Sequence, residues 1–581
     1  MDSYNWDLSK IYSSEEQIEN DVQKLKEILA KVDDYSDNQK ESLLELLKLN
    51  EKARRTWSKL GTYAHMKRDE DSRVTKYQKM NIEMESLMIE ISSKFAFVEP
   101  LILSLDESEI EEILNDDKYN AYKLFIEKIL RYKAHTLSEA EESIMSKMSE
   151  LQGMPGNDYY MLTNADMKFP FIESANEQLS NFNFTKLLAN PNVEVRKETF
   201  EKYYETMKES ANSIGSMLYG NMKGLIIESN IRNYNSSREM ELYRDDVPLS
   251  VYDNLIDIVH EYLPYLYKYY EIKERVLKLE ETHMYDVYLS ITDDSDIQIP
   301  FDEAKEMVIA AVAPLGEQYQ NDMRKAFDDN WIDVYPREGK RSGAYSSGCH
   351  DSQPYVLLNY TGNLDSVFTL IHELGHSMHS YYSRANNDFL YSRYTIFAAE
   401  VASTFNELLL LDYMLKNAKT DKEKILLLDH HINSFKGTVF RQTMFAEFER
   451  DTHKAIEDGK GLTQEDYSSI YYDLNKLYFG DGVVSDELIS LEWARIPHFY
   501  SDYYVYKYAT GFSAATILST KVLNGEEGAL ERYLNFLKDG GNHFPIEQLQ
   551  FAGADMSDPE TLRIAFEVFK NKVDELENIY K

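Results

Sequence analysis

Long stretches of this chain contain nothing that would stop a helix. Only 23 Gly and 13 Pro stand in 581 residues, roughly half the usual share. Between them run segments such as 42–66, 77–98 and 119–137, where apolar residues recur three and four apart and charged residues fill the remaining positions. That spacing predicts amphipathic helices nearly throughout. Breaks are expected around 153–157, 169–171, 190–195, 245–248 and 293–300, where Gly, Pro, Asn and Asp gather. One segment, 335–363, departs from the pattern with Gly, Ser and Tyr, and its "PYVLLNY" (354–360) reads as a strand. The last helix should open at "SDPE", with Asp558 as its cap and Pro559 in its first turn.

The chain carries a net charge of −38, which disfavours nucleic acid and anionic membrane surfaces as partners. Its one cysteine, Cys349, allows no intrachain disulfide. The N-terminus has neither a basic nor an apolar signal region, and no apolar run approaches the ~20 residues that a membrane span needs. A cytoplasmic location is the expectation.

Against this helical background, "TLIHELGHSMHSYY" (369–382) concentrates three histidines and a glutamate. His372 and His376 lie four apart, one turn of helix, so both imidazoles can reach a single ion. Glu373 follows the first histidine, placed to act on the water and not to bind the metal. This is the H-E-x-x-H pattern, and it predicts one zinc ion with Glu373 as general base. Gly375 would let a neighbouring backbone approach closely. His379 stands seven residues beyond His372, about 10.5 Å along the axis, too far for the same ion. It is expected to pack the helix or support the ligands from behind.

A catalytic zinc needs a third protein ligand. The next helical segment, 395–416, offers Glu400 and Glu407 on one face, and either could serve. The small residues Ala398, Ala399 and Ala402 around Glu400 favour it, with Glu407 orienting a histidine N–H.

These stretches resemble the M3 zinc peptidases, and within them the bacterial oligoendopeptidase F group. The resemblance rests on "HELGHSMH" followed by "EVASTFNE", with 23 residues between His376 and Glu400, and extends to "GAYSSGCHDSQPYVLLNYTGN" upstream and "RIPHFYSDYYVYKYATGFSAA" downstream. It implies Glu400 as the third ligand. It also implies a mostly α, two-lobed protein with a deep substrate channel and a small β element near the zinc, divided at about 1–200 and 201–581. One departure is "SSGCH" (346–350), where the family pattern has an aromatic residue; Cys349 and His350 alone lack the partners a second metal would need.

The implied activity is zinc-dependent endopeptidase action on oligopeptides. The resemblance points to a histidine and tyrosines from 497–511, read as His498 and Tyr506 for transition-state stabilisation and Tyr503 for substrate positioning. Tyr355 and Gly343 are expected to contact substrate, although "PYVLLNY" could equally be an edge strand pairing with the peptide or a core strand. Two other readings compete: a carboxypeptidase, in which Arg495 would hold the substrate C-terminus, and a silent peptide-binding scaffold, which would have no use for Glu373. Oligomeric state is not legible.

Overall fold

A computed structural model describes residues 4–292 and 297–581. The chain is 72% helical, and its only sheets among the described residues have two and three strands. The break expected at 293–300 begins in residues outside that range.

Two buried cores organise the helices. One is built from residues between Trp6 and Ile126, including the long helix α1 (Leu43–Glu70), which buries Leu43, Leu46, Leu47 and Leu60 along one stripe. The other runs from Tyr159 to Leu576 and includes α2 (Val193–Ile231), capped by the Asn192 side chain. The cores therefore change over between Ile126 and Tyr159, and α2 crosses residue 200 without interruption. The terminal helix, Pro559–Ile579, opens on the Asp558 side chain, which accepts from the Glu560 and Thr561 N–H groups.

The β structure consists of a short hairpin, β1 (Phe171–Ile172) with β2 (Glu177–Gln178), and a second sheet between the cores. In that sheet β3 (Ile332–Asp333) runs parallel to β5 (Tyr355–Leu357), and β4 (Tyr345–Ser347) runs antiparallel to it on the other side. Alternation along β5 divides its side chains between the cores: Tyr355 and Leu357 join the first, Val356 the second. A strand buried on both faces reads as a continuous apolar run. β5 is thus the central strand, and β3 and β4 form the two edges. Helix α3 (Leu364–Asn386) packs on β4, α4 (Ile396–Asn417) packs on α3, and α5 (Tyr506–Leu523) packs on α4.

No helix among the described residues is long and apolar enough to cross a membrane.

Candidate metal centre

Helix α3 starts at Asn363, whose side chain accepts from the Ser366 N–H at 2.9 Å. Val367, Leu370, Ile371, Leu374 and Met378 are fully buried and fix the rotation of the helix. That rotation turns His372 and His376 toward α4. The two helices touch where Gly375 faces Ser403: a Cβ on Gly375 would lie 2.6 Å from the Ser403 Cα and 2.9 Å from the Ala402 carbonyl oxygen. Because the obstacle is backbone, no rotamer change relieves it. Gly375→Ala should therefore cost about 2 kcal/mol through forced separation of the helices, despite alanine's better helix propensity. A thermal melt checks this; an unchanged melting temperature would show that the helices part freely.

The close crossing brings Glu400 to the histidines. Glu400 Oε2 lies 3.6 Å from His372 Nε2, Glu400 Oε1 lies 3.9 Å from His376 Nε2, and the two Nε2 atoms are 3.1 Å apart. One donor atom from each residue falls within 4.8 Å of the others, the only such group of three His, Cys, Asp or Glu among the described residues. His372 Nδ1 is hydrogen-bonded to Glu407. This bond keeps a proton on Nδ1 and makes Nε2 the nitrogen turned toward the other donors. Burial disfavours a charged His372, yet the hydrogen bond to Glu407, with Glu373 and Glu400 nearby, raises it to about 9. His376 is pushed down to about 3 by burial and by His372. Two imidazole nitrogens directed at one point amid three carboxylates fit a divalent cation. Two histidines and one carboxylate are a donor set that catalytic zinc uses.

Glu373 is 7% exposed and lies outside the donor set. Burial raises its pKa, with Glu400 adding to the effect and His372 opposing it, to about 7. The Ser346 backbone N–H, on edge strand β4, donates to its carboxylate. Ser346 was not singled out in the sequence; nothing distinguishes it from neighbouring serines until β4 pairs with β5.

His379 is buried, its ring stacked on Tyr394 at 3.6 Å between centroids. The Tyr394 hydroxyl donates to the His376 carbonyl at 3.3 Å, so His379 supports the ligand helix from behind.

Several residues expected to contact substrate lie inside the protein. Tyr355 is fully buried in the central strand, and its hydroxyl donates to the Asp7 carbonyl at 3.0 Å, so it is not presented to a peptide. Tyr503 is also buried; its backbone sits at φ +54° and its N–H donates to Glu449 at 2.9 Å. Tyr506 is buried against Tyr252 and Phe397, and its hydroxyl has no partner. Arg495 is bonded to Glu492 at 2.7 Å, engaged inside the protein and not free to hold a C-terminus. Gly343 is exposed at the entry to β4, where it lines a pocket with Asn359 and Asp365.

Tyr508 lies within reach of the Glu400 charge, with Tyr504 beside it. Tyr508 shares a hydrogen bond with Tyr504, and burial together with that bond and the Glu400 charge pushes its pKa up to about 12. His498 lies alongside, its ring 6.1 Å from that of Tyr508. A sequence signal for Tyr508 exists. Gly511 marks the side of α5 that meets α4, since a Cβ there would lie 3.9 Å from the Glu400 Cβ. Tyr508 is one turn before Gly511 on that side, whereas Tyr506 is buried beside Phe397 at the start of α4.

The profile of Peptidase family M3 matches residues 186–568, and that of Oligopeptidase F matches 102–169. The chain belongs to peptidase family M3. As an M3 peptidase it is a metallopeptidase. It is 41% identical over 581 residues to oligopeptidase PepF of Bacillus subtilis, covering 99% of this chain and 87% of that protein. It is 38% identical to the group B oligopeptidase PepB of Streptococcus agalactiae, covering 100% and 97%. Among solved structures, oligoendopeptidase-F from Enterococcus faecium is 34% identical and superposes with a TM-score of 0.75, covering 97% of this chain and 99% of that one. A solved chain from Chlamydophila abortus, 36% identical, reaches 0.94 over 99% and 98%.

Proposed function

We propose that this M3 peptidase is a zinc-dependent endopeptidase acting on oligopeptides. The observation that carries the reading is the convergence of His372, His376 and Glu400 beside a buried carboxylate, Glu373, that is not needed to hold the ion. Zinc held by His372, His376 and Glu400 would supply Lewis acidity and ease the deprotonation of the attacking water. Glu373 takes the proton from the attacking water and delivers it to the leaving amine. The outer edge of β4 offers backbone N–H and C=O groups to an extended peptide, and Gly343 at its entry keeps the approach open. Tyr508, Tyr504 and His498 supply donors for the oxyanion.

The tyrosine assignment separates two residues that look alike in sequence. Tyr508→Phe should lower kcat about 10²-fold with little change in KM, as expected for the loss of one oxyanion donor. Tyr506→Phe, which removes a hydroxyl without a partner, should leave kcat within about twofold. Steady-state kinetics on one peptide checks both; the reverse ranking would return the role to Tyr506.

The function itself is tested with a peptide blocked at both ends, digested with and without a chelator and read by mass spectrometry. Internal cleavage, lost with chelator and restored by zinc, is the expected result. Cleavage confined to peptides with a free C-terminus would make the protein a carboxypeptidase, and metal binding without any cleavage would make it a scaffold.

A further inference from the structure

Beyond His376, helix α3 runs past a second cavity of about 240 Å³, lined by Gly348, Cys349, His350, Ser380, Arg384 and Arg393 among others. Its charge is unusual for this chain. Arg384 makes no ion pair among the described residues, and its Nη1 is shut off from solvent without a hydrogen-bond partner. The guanidinium rests against Gly348, where a Cβ would lie 2.6 Å from Nη1. Arg393 lies close enough for its charge to act against both Arg384 and Arg54, although at Arg54 the Glu99 carboxylate opposes it. Arg54 donates through Nε to Asn50, a neutral partner, at 2.9 Å.

The nearby carboxylate does not resolve this. Asp351 is held by Arg55 through contacts as short as 2.5 Å, and His350 Nδ1, 3.8 Å from it, has no hydrogen-bond partner of its own. His350 Nε2 is taken by the Asn387 carbonyl at 3.0 Å. In a protein with 101 acidic residues and a net charge of −38, Arg384 has been left without a carboxylate at a polar cavity that Arg393 also lines. Burying a cation with no counter-charge is costly, and an unsatisfied buried donor of this kind calls for a partner from outside.

We propose that this cavity is an oxyanion site, binding a phosphate or carboxylate group through Arg384 and Arg393, with the Ser380 and Ser392 hydroxyls at its walls. The group comes either from a free small anion or from an acidic side chain of a bound peptide. Only the second source rests on the proposed peptidase function, and the two are separated by experiment.

The first arm is thermal melting of the zinc-loaded protein with inorganic phosphate. Millimolar phosphate should raise the melting temperature of the parent by about 3 °C, and this shift should disappear in Arg384→Met and in Arg393→Gln. Arg393 is exposed, so its variant is not expected to fail in folding. The second arm measures KM for peptide sets carrying Glu or Gln at each position in turn. A preference for Glu of about tenfold at one position, abolished in both variants, assigns the site to a substrate side chain. A phosphate shift with no such preference assigns it to a free anion. If the parent shows neither effect, or the variants retain whichever effect it shows, the proposal is overturned. Because the first arm reads no catalysis, its result stands even if the protein cleaves nothing.

Discussion

Glu373→Gln is expected to hold its metal as the parent does and to cleave peptides about 10³-fold more slowly, roughly 4 kcal/mol of lost transition-state stabilisation. The amide matches the carboxylate in size and can still accept the Ser346 N–H, but it cannot take a proton. Metal content should survive because the three converging donors are His372, His376 and Glu400. The pH profile gives a second readout. In the absence of a cation, burial and Glu400 raise Glu373 to about 7. A cation at the donor set acts in the opposite direction and favours the ionised form. On its acid limb kcat/KM should therefore rise with pH as the carboxylate loses its proton, with a midpoint below 7, and this limb should be missing from the residual activity of the glutamine variant. Metal analysis of the purified variant beside its kcat/KM decides the matter. A rate near the parent's removes the assignment of Glu373 as base; loss of the metal shows instead that it is needed to build the site.

The difference between Glu373 and the tyrosines shows where sequence reasoning worked. His372, Glu373 and His376 lie within one turn and a half of helix, so the helical period alone decides which of them face together. Glu400 is harder, because its reach depends on how two helices cross; the small residues beside it and Gly375 carried that information, and the crossing is set by the contact of Gly375 with Ser403. Beyond that range the signal fades. In a chain with 44 tyrosines, identity says little, and the choice among Tyr503, Tyr504, Tyr506 and Tyr508 depends on the rotation of α5 and on the left-handed backbone at Tyr503. The strand was legible as a strand, but not as an edge or a centre. Its run "YVLL" is apolar on both sides because it divides two cores, and the edge that faces Glu373 is the polar "YSS" of β4, which has almost no strand signature. The fold was read where order is local, and lost where it depends on which surface another element covers.

Glu400→Ala should abolish peptidase activity by removing the metal, whereas Glu407→Ala should weaken metal binding by only about 10–100-fold. The two glutamates sit two turns apart on one face of α4, and both touch His372, but at different atoms. Glu400 approaches Nε2, the nitrogen that also faces His376. Glu407 bonds Nδ1, on the far side of the ring. Removing Glu400 leaves two imidazoles with no anionic donor, and it also withdraws a charge that acts on Tyr508. Removing Glu407 leaves every donor in place but frees the His372 ring to rotate and to carry its proton on either nitrogen. Zinc affinity of the two variants, measured by competition with a chelator of known strength, should therefore fall much further for Glu400→Ala. High zinc should restore Glu407→Ala toward the parent rate and leave Glu400→Ala inactive. The opposite order would make Glu407 the ligand and Glu400 its support, and would require the His372 ring to turn over so that Nδ1 faces the ion.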